Sequence, residues 1–185
     1  MNHPLDNVIW RSLVGDQARF AAGRGNARRY ARGFSPIIAF QDDAAPDFEA
    51  LAPFCETGEE FYCAGWSGPP PAGWRIDAET VMHRMLWDAA MPQSDAAPLA
   101  VPLAAPHAAQ ALALAQLTHP GPFGQRTLEL GEYFGVFDGE HLIAMAGERM
   151  SALPFREISG VCTHPDCQGR GLARALTAKL VRRQM

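Results

Sequence analysis

Two glycines bracket an arginine where a β-prone run gives way to a helical one, in Val161-Cys162-Thr163-His164-Pro165-Asp166-Cys167-Gln168-Gly169-Arg170-Gly171-Leu172-Ala173. Residues 156–163 read as a strand. Beyond the glycines, Leu172, Leu176 and Leu180 recur at i, i+4 and i+8 with Ala173 and Val181 beside them, the pattern of an amphipathic helix. No other segment constrains the chain so tightly, because it must turn sharply from sheet to helix at this point. Glycine tolerates φ > 0 and lets a ligand approach the backbone. Successive N–H groups then point outward at a helix N-terminus, where the macrodipole also favours an anion. Pyrophosphate suits such a loop, with Arg170 and Arg174 adding charge-assisted contacts. The competing reading is a glycine turn that merely starts a helix. Residues 169–174 are not the dinucleotide fingerprint, which needs a third glycine, and the Gly-Lys-Ser/Thr ending of a phosphate loop is absent.

The charge distribution bears on the same segment. The 185 residues carry a net −4, yet residues 1–95 stand at −5 and residues 96–185 at +1. Residues 156–185 hold six basic side chains (Arg156, Arg170, Arg174, Lys179, Arg182, Arg183) against Glu157 and Asp166. A basic cluster in an acidic chain points to a small anionic ligand more than to a nucleic-acid surface; a solvated helix face with a cationic last turn is the alternative. Lys179 is the only lysine, so the cluster is nearly all arginine, the side chain suited to forked phosphate contacts.

Hydrophobic residues at 48% and charged residues at 19% fit a folded chain and exclude a disordered one. No run approaches the roughly 20 apolar residues of a membrane span. The start, Met1-Asn2-His3-Pro4-Leu5-Asp6, lacks the cationic and apolar stretches of a secretory signal. Four irregularly spaced cysteines do not make a disulfide framework. The expectation is a cytoplasmic protein with reduced thiols and no membrane partner.

Two parts are expected, a small α+β domain over residues 1–95 and an α/β domain over 96–185. In the first, 35–40 and 60–66 read as strands, 46–51 opens like a short helix, and Trp74-Arg75-Ile76 and residues 81–87 supply further strand candidates. The Ala-, Pro- and Asp-rich stretch 89–98 marks the boundary. In the second, a short strand at 99–103 precedes a helix at about 107–117. Strands at 133–137 and 142–147 flank Asp138-Gly139, a hairpin signal.

The segment 161–173 resembles the acyl-CoA signature of the GNAT superfamily of N-acyltransferases: a hydrophobic strand, a Pro-Asp-type turn, then Gln168-Gly169-Arg170-Gly171-Leu172-Ala173 opening a helix. Residues 118–124 and 144–149 are also similar to a bacterial branch of that superfamily, so the resemblance covers roughly 97–185. It implies a mixed sheet with flanking helices and acetyl-CoA as co-substrate. Backbone groups of Val161, Cys162 and Thr163 would pair with the pantetheine arm like an added strand. Amides of Gly169, Arg170, Gly171, Leu172, Ala173 and Arg174, with Gln168 at the mouth, would cradle the pyrophosphate.

The activity implied is acetyl transfer to a primary amine by direct attack in a ternary complex, which needs a base to take a proton from the ammonium. By resemblance that base is Glu157. Strand alternation places Glu157, Ser159, Val161 and Thr163 on one face. The alternative is that Glu157 holds an arginine or a backbone group; Glu148, Glu129 and His119 stand in reserve.

Superfamily members normally continue past the glycine-loop helix with a strand, a helix carrying a tyrosine that protonates the thiolate, and a hairpin. Here the sequence stops at Met185 inside a helical pattern, and Tyr30, Tyr62 and Tyr133 all precede the motif. A C-terminally shortened fold is therefore expected, with a free sheet edge that invites a homodimer. A non-catalytic acyl-CoA-binding or dimerisation module is the runner-up. Cys162-x-His164-x-x-Cys167 holds soft ligands, but its spacing is not that of common zinc motifs, and no metal is expected.

Overall fold

The computed structural model describes residue 3 and residues 5–185. Helix α1 (Val8–Val14) leads into strands β1 (Ala21–Ala22), β2 (Ala27–Tyr30) and β3 (Ile37–Phe40), then the short helix α2 (Phe48–Leu51) and β4 (Tyr62–Cys63). These strands form one sheet in the order β1-β2-β3-β4, antiparallel except for the β3–β4 pair. After a long irregular stretch come β5 (Val101–Pro102), α3 (Ala108–Thr118), β6 (Tyr133–Asp138), β7 (His141–Ala152), β8 (Phe155–Thr163) and α4 (Leu172–Gln184). Strands β5-β6-β7-β8 make a second sheet, antiparallel throughout. The fold is thus mixed α+β, with the expected strand–loop–helix at its C-terminal end.

Local chemistry explains the second sheet. Gly139 takes φ 57, and the β6–β7 hairpin closes with Asp138 opposite His141. Leu176 and Leu180 on α4 are fully buried against Phe134, Ala144 and Ala146, with Leu172, Ile158 and Val161 packed at the margin. On the other face, Ala111, Leu114 and Ala115 of α3 pack on Tyr133, Leu142, Met145 and Cys162. Helices on both faces explain why β7 is buried along nearly its whole length.

The first sheet has a core of its own, in which Phe40, Phe48 and Leu51 are buried with Ala27 and Ile38. A further cluster joins the two halves of the chain: Ile9, Leu13, Tyr30, Phe34, Ile37 and Ala39 pack with Leu130 and Met150. Buried Gln17 sits in the same seam. Its amide donates to Leu130 O at 3.1 Å and Arg149 O at 3.0 Å, and its carbonyl accepts from Ser12 Oγ and the Tyr30 hydroxyl.

Two expectations about residues 1–95 change. Trp74-Arg75-Ile76 and residues 81–87 form no strand; Val81 is 80% exposed and Met85 92%. A β-prone run becomes a strand only against a partner, and the ladders that form pair other segments. Conversely, α1 and β2 were not foreseen. The Ala27-Arg28-Arg29-Tyr30 run looks too charged for an inner strand, but Arg29 is 4% exposed and donates to Phe54 O at 2.7 Å and to both oxygens of Glu59. Its counter-charge lies thirty residues downstream.

Candidate active site

A cleft of about 580 Å³ opens between the end of β8 and the N-terminus of α4. The ten residues selected from sequence as cofactor contacts, Val161, Cys162, Thr163 and the run from Gln168 to Arg174, all line it, joined by Thr118 and Cys167. The chain leaves β8 through a single 3₁₀ turn, Pro165–Cys167, whose first amides are met by His164: its Nδ1 accepts from Asp166 N at 3.3 Å and its carbonyl from Cys167 N at 2.9 Å. Gly169 and Gly171 then take φ 75 and 76, and a Cβ built on either meets nothing within 4 Å. Their requirement is therefore the left-handed backbone and not a lack of room. Gly171 caps α4 without a side-chain acceptor, and the first backbone bond across this turn is Ala175 N to Gly171 O at 3.0 Å. The preceding amides, Leu172 to Arg174, lie ahead of the helical ladder, where an anion would complete them.

The basic residues of this segment divide into two groups. Lys179 pairs with Asp95 at 2.5 Å, Arg182 donates to Pro92 O at 2.8 Å and Gln93 O at 2.9 Å, Arg183 is bound to Glu132, and Arg156 reaches Glu148 at 3.2 Å. Arg170 and Arg174 are exposed at the cleft, and among the described residues neither has an ion-pair partner. The positive charge left uncommitted is thus the charge beside the glycine loop.

The cleft also holds an incomplete polar group. Thr163 Oγ1 is buried and, among the described residues, has no hydrogen-bond partner. A buried hydroxyl without a partner costs about 1–3 kcal/mol, and a polar ligand in the cleft would supply one. The glycine backbone, the two free arginines and this hydroxyl together fit a phosphorylated, amide-bearing ligand such as an acyl-CoA. Burial pushes the Cys162 thiol above its ordinary range, which keeps it protonated. Among the described residues no three His, Cys, Asp or Glu side chains converge as metal ligands.

The structure revises the geometry around Glu157. Met145 pairs with Cys162 but Gly147 pairs with Ser159, so β8 spends one extra residue here, and Gly160 takes φ 61. This bulge interrupts the expected alternation. Ile158 and Val161, three residues apart, both pack on the α4 side, while Cys162 joins the α3 side. Glu157 therefore does not share a face with Val161 and Thr163, because the extra residue reverses the side-chain direction between them.

On the α3 side Glu157 meets Arg149. The guanidinium donates from Nη2 to Oε1 at 2.6 Å and from Nε to Oε2 at 3.1 Å, and its Nη1 donates to Pro122 O at 3.1 Å. Burial disfavours the Arg149 charge, but the Glu157 carboxylate outweighs it and holds the guanidinium above its ordinary range. Arg149 is 8% exposed and Glu157 35%, so the carboxylate still reaches solvent.

Two of the three reserve candidates are occupied elsewhere. Glu129 pairs with Arg126 at 2.7 Å; buried Glu148 accepts from Arg156 and from Gln184 at 3.2 Å. His119 ends α3 in a left-handed conformation with φ 50. Arg149 and Tyr133 were not singled out from sequence. A charge inside an apolar strand was the available signal for Arg149, and Tyr133 carried none.

Comparison with known proteins bears on the family and the fold. A family model described as FR47-like protein matches residues 133–184, which take in β6, β7, β8 and α4. Among solved structures, the chain is similar to one from Novosphingobium aromaticivorans DSM 12444, determined at 1.80 Å and assigned as an acetyltransferase from the GNAT family. The identity is 32% and the TM-score 0.80, over 99% of this chain and 81% of that one. No curated protein matches the sequence. With that identity and coverage, and with the glycine loop seated between β8 and α4, this chain belongs to the GNAT family.

Proposed function

We propose that the protein is an N-acetyltransferase that moves an acetyl group from acetyl-CoA to a primary amine by direct attack in a ternary complex. The observation that carries this reading is the cleft at β8 and α4, lined together by left-handed Gly169 and Gly171, the unpaired Arg170 and Arg174, and Thr163 with its buried, unsatisfied hydroxyl. The pyrophosphate lies against the amides of residues 169–174, and the pantetheine arm runs beside residues 161–163. In the reaction the amine nitrogen attacks the thioester carbonyl carbon, the C–S bond breaks, and the thiolate leaves with the bond's electron pair. Before attack the ammonium gives one proton to Glu157, directly or through water; the second, shed by nitrogen as the amide forms, neutralises the departing thiolate. The carboxylate is open enough for this, and its ion pair with Arg149 keeps it oriented between transfers.

That same ion pair favours the second reading, a non-catalytic acyl-CoA-binding module, since both Glu157 oxygens are already engaged. Thermal unfolding with and without excess acetyl-CoA tests the shared part. Ligand at ~100 times its Kd adds about 2.7 kcal/mol, roughly 5–10 °C for a chain of this size, and Gly169→Glu should erase most of it. No shift would overturn both readings. Free-thiol release across a panel of primary amines then separates them: turnover abolished by Glu157→Gln supports the enzyme, and binding without release on any amine supports the module.

A further inference from the structure

Tyr133 stands apart from the cofactor contacts and is used by none of the steps above. It is 1% exposed, and among the described residues its hydroxyl has no hydrogen-bond partner. A phenylalanine would fill the same space without the desolvation cost that a buried unpaired hydroxyl carries. The side chain is also given room at some expense. It starts on β6 opposite Gly147 of β7, and a Cβ at Gly147 would lie 2.1 Å from its Cδ1. Its ring passes over that glycine toward β8, where Cε1 lies 3.2 Å from the position of a Cβ at Gly160. Two glycines on successive strands thus form a notch that the ring occupies, with Phe123 standing edge-on above it at 5.9 Å between centroids.

The notch carries the edge of the ring to the bulge in β8. Gly160 immediately precedes Val161, the first strand residue of the cleft, and Cys162, which also lines the cleft, belongs to the same buried cluster as Tyr133. On the other side lie Arg149 and Glu157, whose charges both act on the phenol. Burial raises its pKa strongly, so it stays a neutral donor over the working pH range.

We propose that the Tyr133 hydroxyl is the hydrogen-bond donor for the acyl carbonyl oxygen of the bound thioester, held at the β8 bulge by the Gly147–Gly160 notch. This rests on the acyl-CoA reading given above. The donor polarises the carbonyl toward the incoming amine and gains a bond itself, while the proton remains on the phenol. The phenol gives no proton to the leaving thiolate.

The test compares binding of acetyl-CoA and of CoA, which lacks the acyl oxygen, by calorimetry on the full chain and on Tyr133→Phe. The expected result is a loss of about tenfold in acetyl-CoA affinity, with CoA affinity unchanged within twofold and the free variant melting no lower than the parent. Equal acetyl-CoA affinity in parent and variant overturns the assignment, as does an equal loss for both ligands. If the parent binds neither ligand, the acyl-CoA reading itself fails and this one with it.

Discussion

Arg149 of β7 and Glu157 of β8 face each other in a forked ion pair, Nη2 to Oε1 2.6 Å and Nε to Oε2 3.1 Å, with the arginine buried and the carboxylate at the surface of the site. The asymmetry determines what a substitution does. Glu157→Gln leaves a buried guanidinium without its counter-charge, a defect worth about 3–5 kcal/mol in a fully buried pair and about 0–1 in an exposed one. With Glu157 about one-third exposed, a loss of about 1–3 kcal/mol is expected, seen as a fall of roughly 3–10 °C in Tm. Arg149→Met combined with Glu157→Gln should recover part of it, because the stranded charge is gone. Strict additivity of the two single changes in thermal unfolding would show that the pair contributes no coupling.

The division of the basic residues into committed and uncommitted groups predicts their effects on ligand. Arg170→Ala and Arg174→Ala should each weaken acetyl-CoA binding by about fivefold to tenfold, with a shallower salt dependence, because each removes a free charge beside the proposed phosphate cradle. Arg182→Ala should leave the affinity within twofold, since its guanidinium is spent on Pro92 O and Gln93 O. Calorimetric titration at two ionic strengths checks both statements, and a large effect of Arg182→Ala would contradict the assignment.

The glycine loop and α4 were legible because their signals are local. A positive-φ requirement is met by glycine at the position itself, and a 3.6-residue period needs no partner to be read. The β6–β7 hairpin was legible for the same reason. What could not be read depends on distant residues. Arg29 looks out of place in β2 until Glu59 is brought beside it, and residues 81–87 look like a strand until no strand lies alongside. Gly160 is the sharpest case: in sequence it is one more strand glycine, and only the mismatch with β7 turns it into a bulge that moves Glu157 to the other face from Val161. The residues around Glu157 were read correctly as a strand, and its direction was lost by one position.

The Arg29–Glu59 pair predicts acid sensitivity in the first sheet. Hydrogen bonding to Arg29 holds the Glu59 carboxyl below the usual carboxylate range against the opposing effect of burial. A depressed folded-state pKa means that the unfolded chain binds the proton more readily. The pair's stabilisation is therefore complete above the unfolded value near ~4.3 and is lost as pH falls through the lower folded value. Tm measured from pH 6 down to pH 3 should fall more steeply for the parent than for Glu59→Gln, which has already lost the ion pair. Parallel curves would mean that the pair does not couple folding to protonation.

Gly147 and Gly169 predict opposite outcomes for the same substitution. At Gly147 an added Cβ meets Cδ1, Cγ and Cε1 of Tyr133 at 2.1, 2.2 and 2.5 Å, and the Cγ of a strand residue cannot retreat without moving the β6 backbone. Gly147→Ala should therefore cost about 3 kcal/mol or more, at the upper end of overpacking, and lower Tm by roughly 6–12 °C. At Gly169 the added methyl meets nothing, so only the left-handed φ of 75 resists it, at about 1–2 kcal/mol. Gly169→Ala should melt within roughly 2–8 °C of the parent. Its larger effect falls on ligand: if the backbone relaxes to negative φ, the amides of residues 169–171 turn away from the proposed phosphate site and acetyl-CoA affinity falls. A variant pair in which Gly147→Ala is silent and Gly169→Ala unfolds the chain would place the packing constraint in the loop and remove the notch on which the orientation of Tyr133 depends.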